Sequence, residues 1–302
     1  MTLIVVSAVL SSMFSNSVFA ESQFGLPDPG LTPESPFYFL DTWDEEVRLF
    51  FSHSDSARLK RYRASAAERL SEAEKLAGRG ISATQIALER YRDVVPRIYA
   101  TSERIGDALL HAEVLRMAAE HLDILDYISE RTDPEKKQFI LATKLFLINQ
   151  HLESLQLFAK RKPGDALRIF GDTLNLRMAR VREVAIDDEN NKEALDEYTA
   201  YLSETDRIVR EWGLTEVNNI TPSRFLADAV RGHEETLLGP IRDRMSPTLE
   251  QELLLVVNTV RKLSGKGLLP TLPAVKANRT LTPLDLLPAV SSTATTATSS
   301  GF

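Results

Sequence analysis

The chain has 302 residues, a formal charge of −7 from 36 basic and 43 acidic side chains, and no cysteine. Disulfide frameworks, thiolate zinc sites and cysteine nucleophiles are thereby excluded, and the acidic balance argues against the basic footprint on which nucleic-acid binding rests. A 43% hydrophobic fraction over this length can bury a core without covalent staples.

Residues 1–20 carry no charge and end in Val18-Phe19-Ala20 ahead of Glu21. Small residues at the −1 and −3 positions and an apolar run too short and Ser/Asn-diluted for a stable span predict an export signal cleaved near Ala20. The usual positive start is missing, since Thr2 and Leu3 follow Met1 directly. Left uncleaved, the segment is expected to act as a single anchor; either outcome places the remainder outside the cytoplasm. Residues 21–36 hold Pro27, Pro29, Pro33 and Pro36, which predict an extended lead-in.

Helical spacing then takes over. A first helix is predicted over Phe37 to Ser52, capped by Ser35, with Leu40, Trp43, Val47 and Phe50 on one face. Ser54 or Asp55 opens a second, striped by Leu59, Tyr62, Ala66, Leu70, Ala73 and Ala77 and ended by Gly78 and Gly80. Ser82-x-x-Gln85 reads as a capping box for a third, with Pro96 as a kink, and a fourth spans Asp107 to Glu130. Asp133-Pro134-Glu135 starts a fifth, whose Leu141, Leu145, Ile148, Leu152 and Leu155 predict the most buried helix. Pro163 restarts the chain into a sixth, with Leu167, Phe170, Leu174, Met178 and Val181 inward. Asn190-x-x-Glu193 opens a seventh with Tyr198, Tyr201, Ile208 and Trp212. A shorter eighth follows Pro222, and Ser246-Pro247 begins a ninth carrying Leu249, Leu253, Val256, Val260 and Leu263. The alternation and Asn-Gly turns that mark strands are missing.

The predicted fold is therefore all-α, an antiparallel helical bundle or elongated array of about nine helices over residues 37–264, with a sub-division admissible near 132 or 163. The extended lead-in precedes it, and a Pro-rich then Ser/Thr/Ala-rich tail over 265–302, read as disordered, follows. Weak internal echoes pair Ala66–Leu70 with Ala118–Leu122, and Leu115–Ala118 with Leu176–Ala179, at unequal spacing.

The run from Leu26 to Leu40, Trp43, Leu49-Phe50-Phe51 and Ala67–Ala73 resembles exported bacterial proteins grouped as domain of unknown function 5667, best over residues 26–80 and more weakly at Arg231–Glu235. The resemblance implies an extracytoplasmic helical domain behind a signal peptide. It transfers no activity and no catalytic residues.

No catalytic, cofactor-binding or metal-ligating residues are assigned from sequence, and no cofactor is implied. The five histidines, His53, His111, His121, His151 and His233, form neither HExxH nor Glu-x-x-His. His111 and His121 lie about 15 Å apart along one helix and cannot share a metal, so His121, in line with Met117 and Ile124, reads as a structural histidine. His233-Glu234-Glu235 is a poor cation patch because adjacent helical residues diverge. Asp187-Asp188-Glu189 and Asp41 with Glu45-Glu46 lack a calcium loop and read as solvated or helix-end acids. Arg58-Leu59-Lys60-Arg61-Tyr62-Arg63, the one basic concentration with an interleaved aromatic, is followed by Glu68, Glu72 and Glu74 and reads as a solvated face in preference to a contact with anionic envelope polymer or lipid headgroups. No Gly-x-Ser-x-Gly elbow occurs.

These features lead to the expectation of an exported, non-enzymatic helical protein, a structural or macromolecular-interaction module of the bacterial cell envelope or exterior. Its partner would be an envelope or extracellular protein or polymer, or the protein itself. Nucleic acid is not expected, and membrane contact is expected only through an uncleaved N-terminal segment. The competing classes are a hydrolase or metal-dependent enzyme with a site assembled from distant helices, and an amphipathic-helix binder of lipid surfaces.

Overall fold

Side-chain caps start two helices where the sequence places them. Ser54 Oγ accepts from the Ala57 amide at 3.2 Å, and Asp107 Oδ1 accepts from Leu109 and Leu110 at 2.9 and 3.3 Å. Replacing Asp107 by alanine is expected to cost about 1 kcal/mol, read as a lower urea midpoint at unchanged slope. The computed structural model describes residues 24–78, 81–134, 137–184, 188–211, 220–244 and 247–265. The expected export signal and nearly all of the tail fall outside them.

Among the described residues the chain forms nine α-helices and no strand: α1 Tyr38–Phe50, α2 Asp55–Leu76, α3 Ile81–Ile105, α4 Ala108–Glu130, α5 Lys137–Arg161, α6 Pro163–Glu183, α7 Asp188–Glu211, α8 Ile220–Thr236 and α9 Pro247–Leu263. Between α8 and α9 lie one π-type turn, Leu237–Ile241, and one 3₁₀ turn, Arg242–Arg244. α3 continues through Pro96 as one element of 25 residues, roughly 37 Å long. Within the lead-in, residues 24–36 form no regular element, but Phe24 meets the Tyr127 ring at 5.3 Å and Ser71 donates to the Pro27 carbonyl at 2.7 Å. The lead-in is docked, not merely extended.

Side-chain pairs fix how the helices run. Tyr91–His121 and Ser102–His111 make α3 and α4 antiparallel, since one number rises as the other falls. Lys144–Glu197 and His151–Tyr201 make α5 and α7 parallel, as Asp126–Arg177 and Glu130–Arg180 do for α4 and α6. Consecutive helices thus alternate in direction and alternate helices align, an up-and-down array. One hydrophobic cluster runs through it from Leu59 of α2 to Val260 of α9.

Several expectations need correction. α3 begins at Ile81, so Ser82 is already helical, and Gln85 donates forward to Glu89 instead of closing a capping box. α7 begins at Asp188, ahead of Asn190, and Glu193 is drawn to Lys144 instead. α8 starts at Ile220, which leaves Pro222 in a first turn that tolerates it. In α5, Leu141 and Leu145 are only half-buried; the inward face carries Ile140, Thr143, Lys144, Leu147, Ile148 and His151. α4, not α5, is the more buried of the two, with 13 of 23 residues enclosed against 11 of 25. In α5 the inward line is taken by Lys144 and His151, which pair with Glu197 and Tyr201 of α7, so Leu141 and Leu145 fall to its flank.

The largest departure is α1. Leu40, Trp43 and Phe50 do share a face, but that face points into water, with Trp43 65% and Phe50 82% exposed. The helix is held instead by its polar side. Glu45 accepts from Arg69 at 2.9 Å, and the Tyr38 hydroxyl lies between Arg69, at 2.7 Å, and Glu72, at 2.9 Å. Arg90 of α3 stacks 4.6 Å over the Tyr38 ring. Arg69 and Glu72, themselves paired, are buried.

Candidate functional site

Among the described residues the densest chemistry is a seam of charge between α4, α5, α6 and α7. Helical spacing puts Asp123, Asp126 and Glu130 on one face of α4, Arg177 and Arg180 on one face of α6, and Glu193 and Glu197 on one face of α7. Lys144 of α5 projects into their midst. Its ammonium contacts Asp126 and Glu193 closely and Glu197 at 2.6 Å. Arg177 donates to Asp126 at 2.9 Å and Glu197 at 3.3 Å and also pairs with Asp123. Arg180 reaches Glu130 at 2.5 Å. The four deepest members, Asp126, Lys144, Arg177 and Glu197, are all buried, and their charges cancel two against two.

This arrangement decides the protonation states. Burial alone would push the Lys144 and Arg177 pKa values down, but the facing carboxylates of Glu197 and Asp126 outweigh it and hold both above their ordinary values. Burial likewise works to raise Asp126, yet Lys144 and Arg177 bring it below the ordinary carboxylate value. Burial raises Glu197 with help from Asp126, despite Lys144. A lysine held so firmly protonated is neither a nucleophile nor a base. Asp126, Glu193 and Glu197 converge as a carboxylate triad of the kind that can hold a cation, but the Lys144 ammonium already stands among them. The cavity beside it, bordered by Ser129, Arg180 and Ala194, measures about 10 Å³, at most the room of one water.

Four of the five histidines are buried, each with its own hydrogen-bond partners. His121 Nδ1 lies 2.9 Å from the Tyr91 hydroxyl and His151 Nδ1 2.8 Å from that of Tyr201. His233 Nε2 faces Asn175 Oδ1 at 2.9 Å and so donates to it, leaving Nδ1 to accept from Tyr198, also at 2.9 Å. The Ser102 hydroxyl donates to the Tyr99 carbonyl, so His111 Nδ1 donates to Ser102 Oγ at 2.8 Å, and its Nε2 lies 3.2 Å from Ser154 Oγ. Burial lowers all four imidazoles, with Arg63 adding to the effect at His121, Arg177 at His151 and Arg182 at His233. The values fall to about 3 for His121 and His151 and about 4 for His233. They are neutral structural links, as expected for His121. His53 is exposed, its Nδ1 2.5 Å from the Phe51 carbonyl.

The remaining sequence candidates separate. Within His233-Glu234-Glu235, Glu234 turns to Arg261 while Glu235 is exposed. Glu45 is taken by Arg69, whereas the side chains of Asp41, Asp188 and Glu189 and the whole of Asp187 lie outside the described residues. In the basic run, Arg58 donates to the Ser52 carbonyl, Arg61 to Ser52 Oγ and Arg63 to Glu113. Sequence reading missed the seam altogether. Its signal was present as acids at i, i+3 and i+7 in α4 and as Lys144 within an apolar helix, but ordinary surface helices show the same spacing.

Beside the seam, two surface features stand out: the exposed apolar face of α1, and a groove of about 590 Å³ between α2 and α4. No curated protein and no solved structure matches the chain. The weaker likeness at Arg231–Glu235 lies outside the one segment that a family model recognises. Residues 30–135, which span α1 to α4, match the model of a family described as a domain of unknown function (DUF5667).

Proposed function

We propose that this chain is an exported, non-catalytic helical module of the bacterial cell envelope or exterior, and that it binds an envelope or extracellular macromolecule, or a second copy of itself, through the apolar face of α1. The observation that carries this reading is that Phe39, Leu40, Trp43 and Phe50 lie in water on a helix held in place by its opposite, polar side. An aromatic patch kept outward by buried ion pairs is a surface that another molecule can cover. The charged seam supports a structural role: its lysine is locked in the protonated state and the cavity beside it has no room for a substrate. Export rests on the uncharged run ending at Ala20. No helix among the described residues is long and apolar enough to cross a membrane.

The test is affinity capture from the native envelope with the C-terminally tagged protein beside its Trp43→Ser/Phe50→Ser variant. The expected result is a macromolecule recovered with the first and lost with the second, whose melting temperature should be unchanged. Recovery of nothing that depends on α1 would overturn the reading.

A further inference from the structure

We infer that the groove between α2 and α4 is the receptor for α1 of a second copy of this chain, so that copies join head to tail. This rests on the proposed binding role of α1 and names its partner.

The groove has an apolar floor of Leu59, Leu110 and Met117, with His121 at its base and Lys60 and Arg63 along its α2 side. Lys60 and Arg63 are its charged lining residues, Arg63 also lying 3.4 Å from Glu113, and no acid lines it among the described residues. The α1 face is its counterpart. Phe39, Leu40, Trp43, Val47 and Phe50 form one stripe at helical spacing, and exposed Asp44 and Glu46 flank it on either side. Asp44 also pairs with Arg48 at 2.7 Å, an exposed contact of little strength. Lengths match as well. The stripe from Phe39 to Phe50 and the α2 wall from Ser56 to Ala67 each cover eleven helical steps, about 16 Å. An acidic, aromatic helix therefore meets a basic, apolar groove of its own length, the arrangement by which helix-in-groove recognition works.

Placement of the two surfaces excludes mutual exchange within one pair. Arg58, Arg61, Arg69 and Glu72 of α2 hold α1 and the turn after it, whereas Ser56, Lys60, Arg63 and Ala67 line the groove. On a helical wheel these sets fall on opposite sides of α2. A copy whose α1 fills its neighbour's groove thus leaves its own groove open, a heterologous contact that propagates.

The experiment is sedimentation velocity of the full mature chain from dilute to concentrated solution. The wild-type protein is expected to give a concentration-dependent series extending beyond a dimer. Trp43→Ser/Phe50→Ser removes the helix face and Lys60→Glu/Arg63→Glu reverses the groove; each is expected to weaken association about tenfold or more while keeping helicity and melting temperature, because the altered side chains are not core residues. Mixing the two variants restores one good face to one good groove, so a discrete one-to-one pair is expected. A wild-type chain that stays monomeric, groove variants that assemble like wild type, or a mixture that fails to pair would each overturn the inference. Monomers that bind phosphatidylcholine vesicles through Trp43 and Phe50 would also overturn it. Loss of self-assembly with an α1-dependent partner still captured from the envelope would sink the second-copy assignment alone.

Discussion

Replacing Lys144 by methionine is expected to cost about 3–5 kcal/mol of stability at neutral pH, the penalty for leaving buried carboxylates without their counter-charge. Methionine keeps most of the aliphatic stem, so the loss reports charge more than volume. Asp126 and Glu197, both buried, would face each other and the half-buried Glu193 with Arg177 as the remaining buried cation. Urea unfolding at constant slope measures the change. Acid should narrow the gap between variant and wild type. Glu197 is already raised by burial and Asp126, and without Lys144 it protonates more readily still. A loss below about 1 kcal/mol, typical of an exposed pair, would show that the seam does not lock these helices together.

The second large effect is acid destabilisation led by the buried histidines. Their folded pKa values lie below the unfolded value of 6.5, at about 3 for His121 and His151 and about 4 for His233. Between 6.5 and those values the unfolded chain binds more protons than the folded one, so stability rises with pH across that window and falls on acidification. At about pH 5 each of the three imidazoles removes about 2 kcal/mol relative to neutral solution. Burial raises Asp123, Asp196 and Glu197, and these contribute with the opposite sign, gaining protons in the folded state as pH falls. Comparing wild type with His121→Phe isolates the imidazole. The variant should lose less stability between pH 7 and 5 than wild type does, whatever its starting stability. Parallel curves for the two proteins would mean that His121 is not held neutral.

Much of the helical order is legible from caps, breakers and periodic apolar positions. Those signals are local: Asp107 caps α4 with its own side chain, and Pro163 stands at the first position of α6. The boundary differences at Ser82, Asn190 and Pro222 amount to one or two residues, because a first helical turn, whose amides have no intrahelical partner, accepts cap-type residues and proline as readily as the cap position does.

Direction is harder than periodicity. The α1 stripe and the α2 stripe look alike in sequence, yet Leu59 and Leu70 enter the core while Trp43 and Phe50 do not. What turned α1 over is Arg69, about two dozen residues away, whose buried guanidinium draws Glu45 and Tyr38 inward. Nor does the sequence disclose which polar residues pair. Arg69, His121, Arg177 and His233, spaced by 52, 56 and 56 residues, are all buried and all bond to another helix. They lie on α2, α4, α6 and α8, the first helices of successive hairpins. The echo between Ala66–Leu70 and Ala118–Leu122 contains the first two of these positions, whereas that between Leu115–Ala118 and Leu176–Ala179 sets Arg177 against Arg116 and not His121.

By itself, then, the sequence determined an all-helical chain, where most of its helices start and stop, and which positions share a face, because backbone capping and a 3.6-residue period depend on neighbours within a turn or two. The tertiary structure alone decided which face is inward, which charges neutralise each other and which surfaces stay open. Those outcomes depend on desolvation and pairing between side chains tens of residues apart, where an arginine or lysine is costly to bury alone and stable once its carboxylates converge on it.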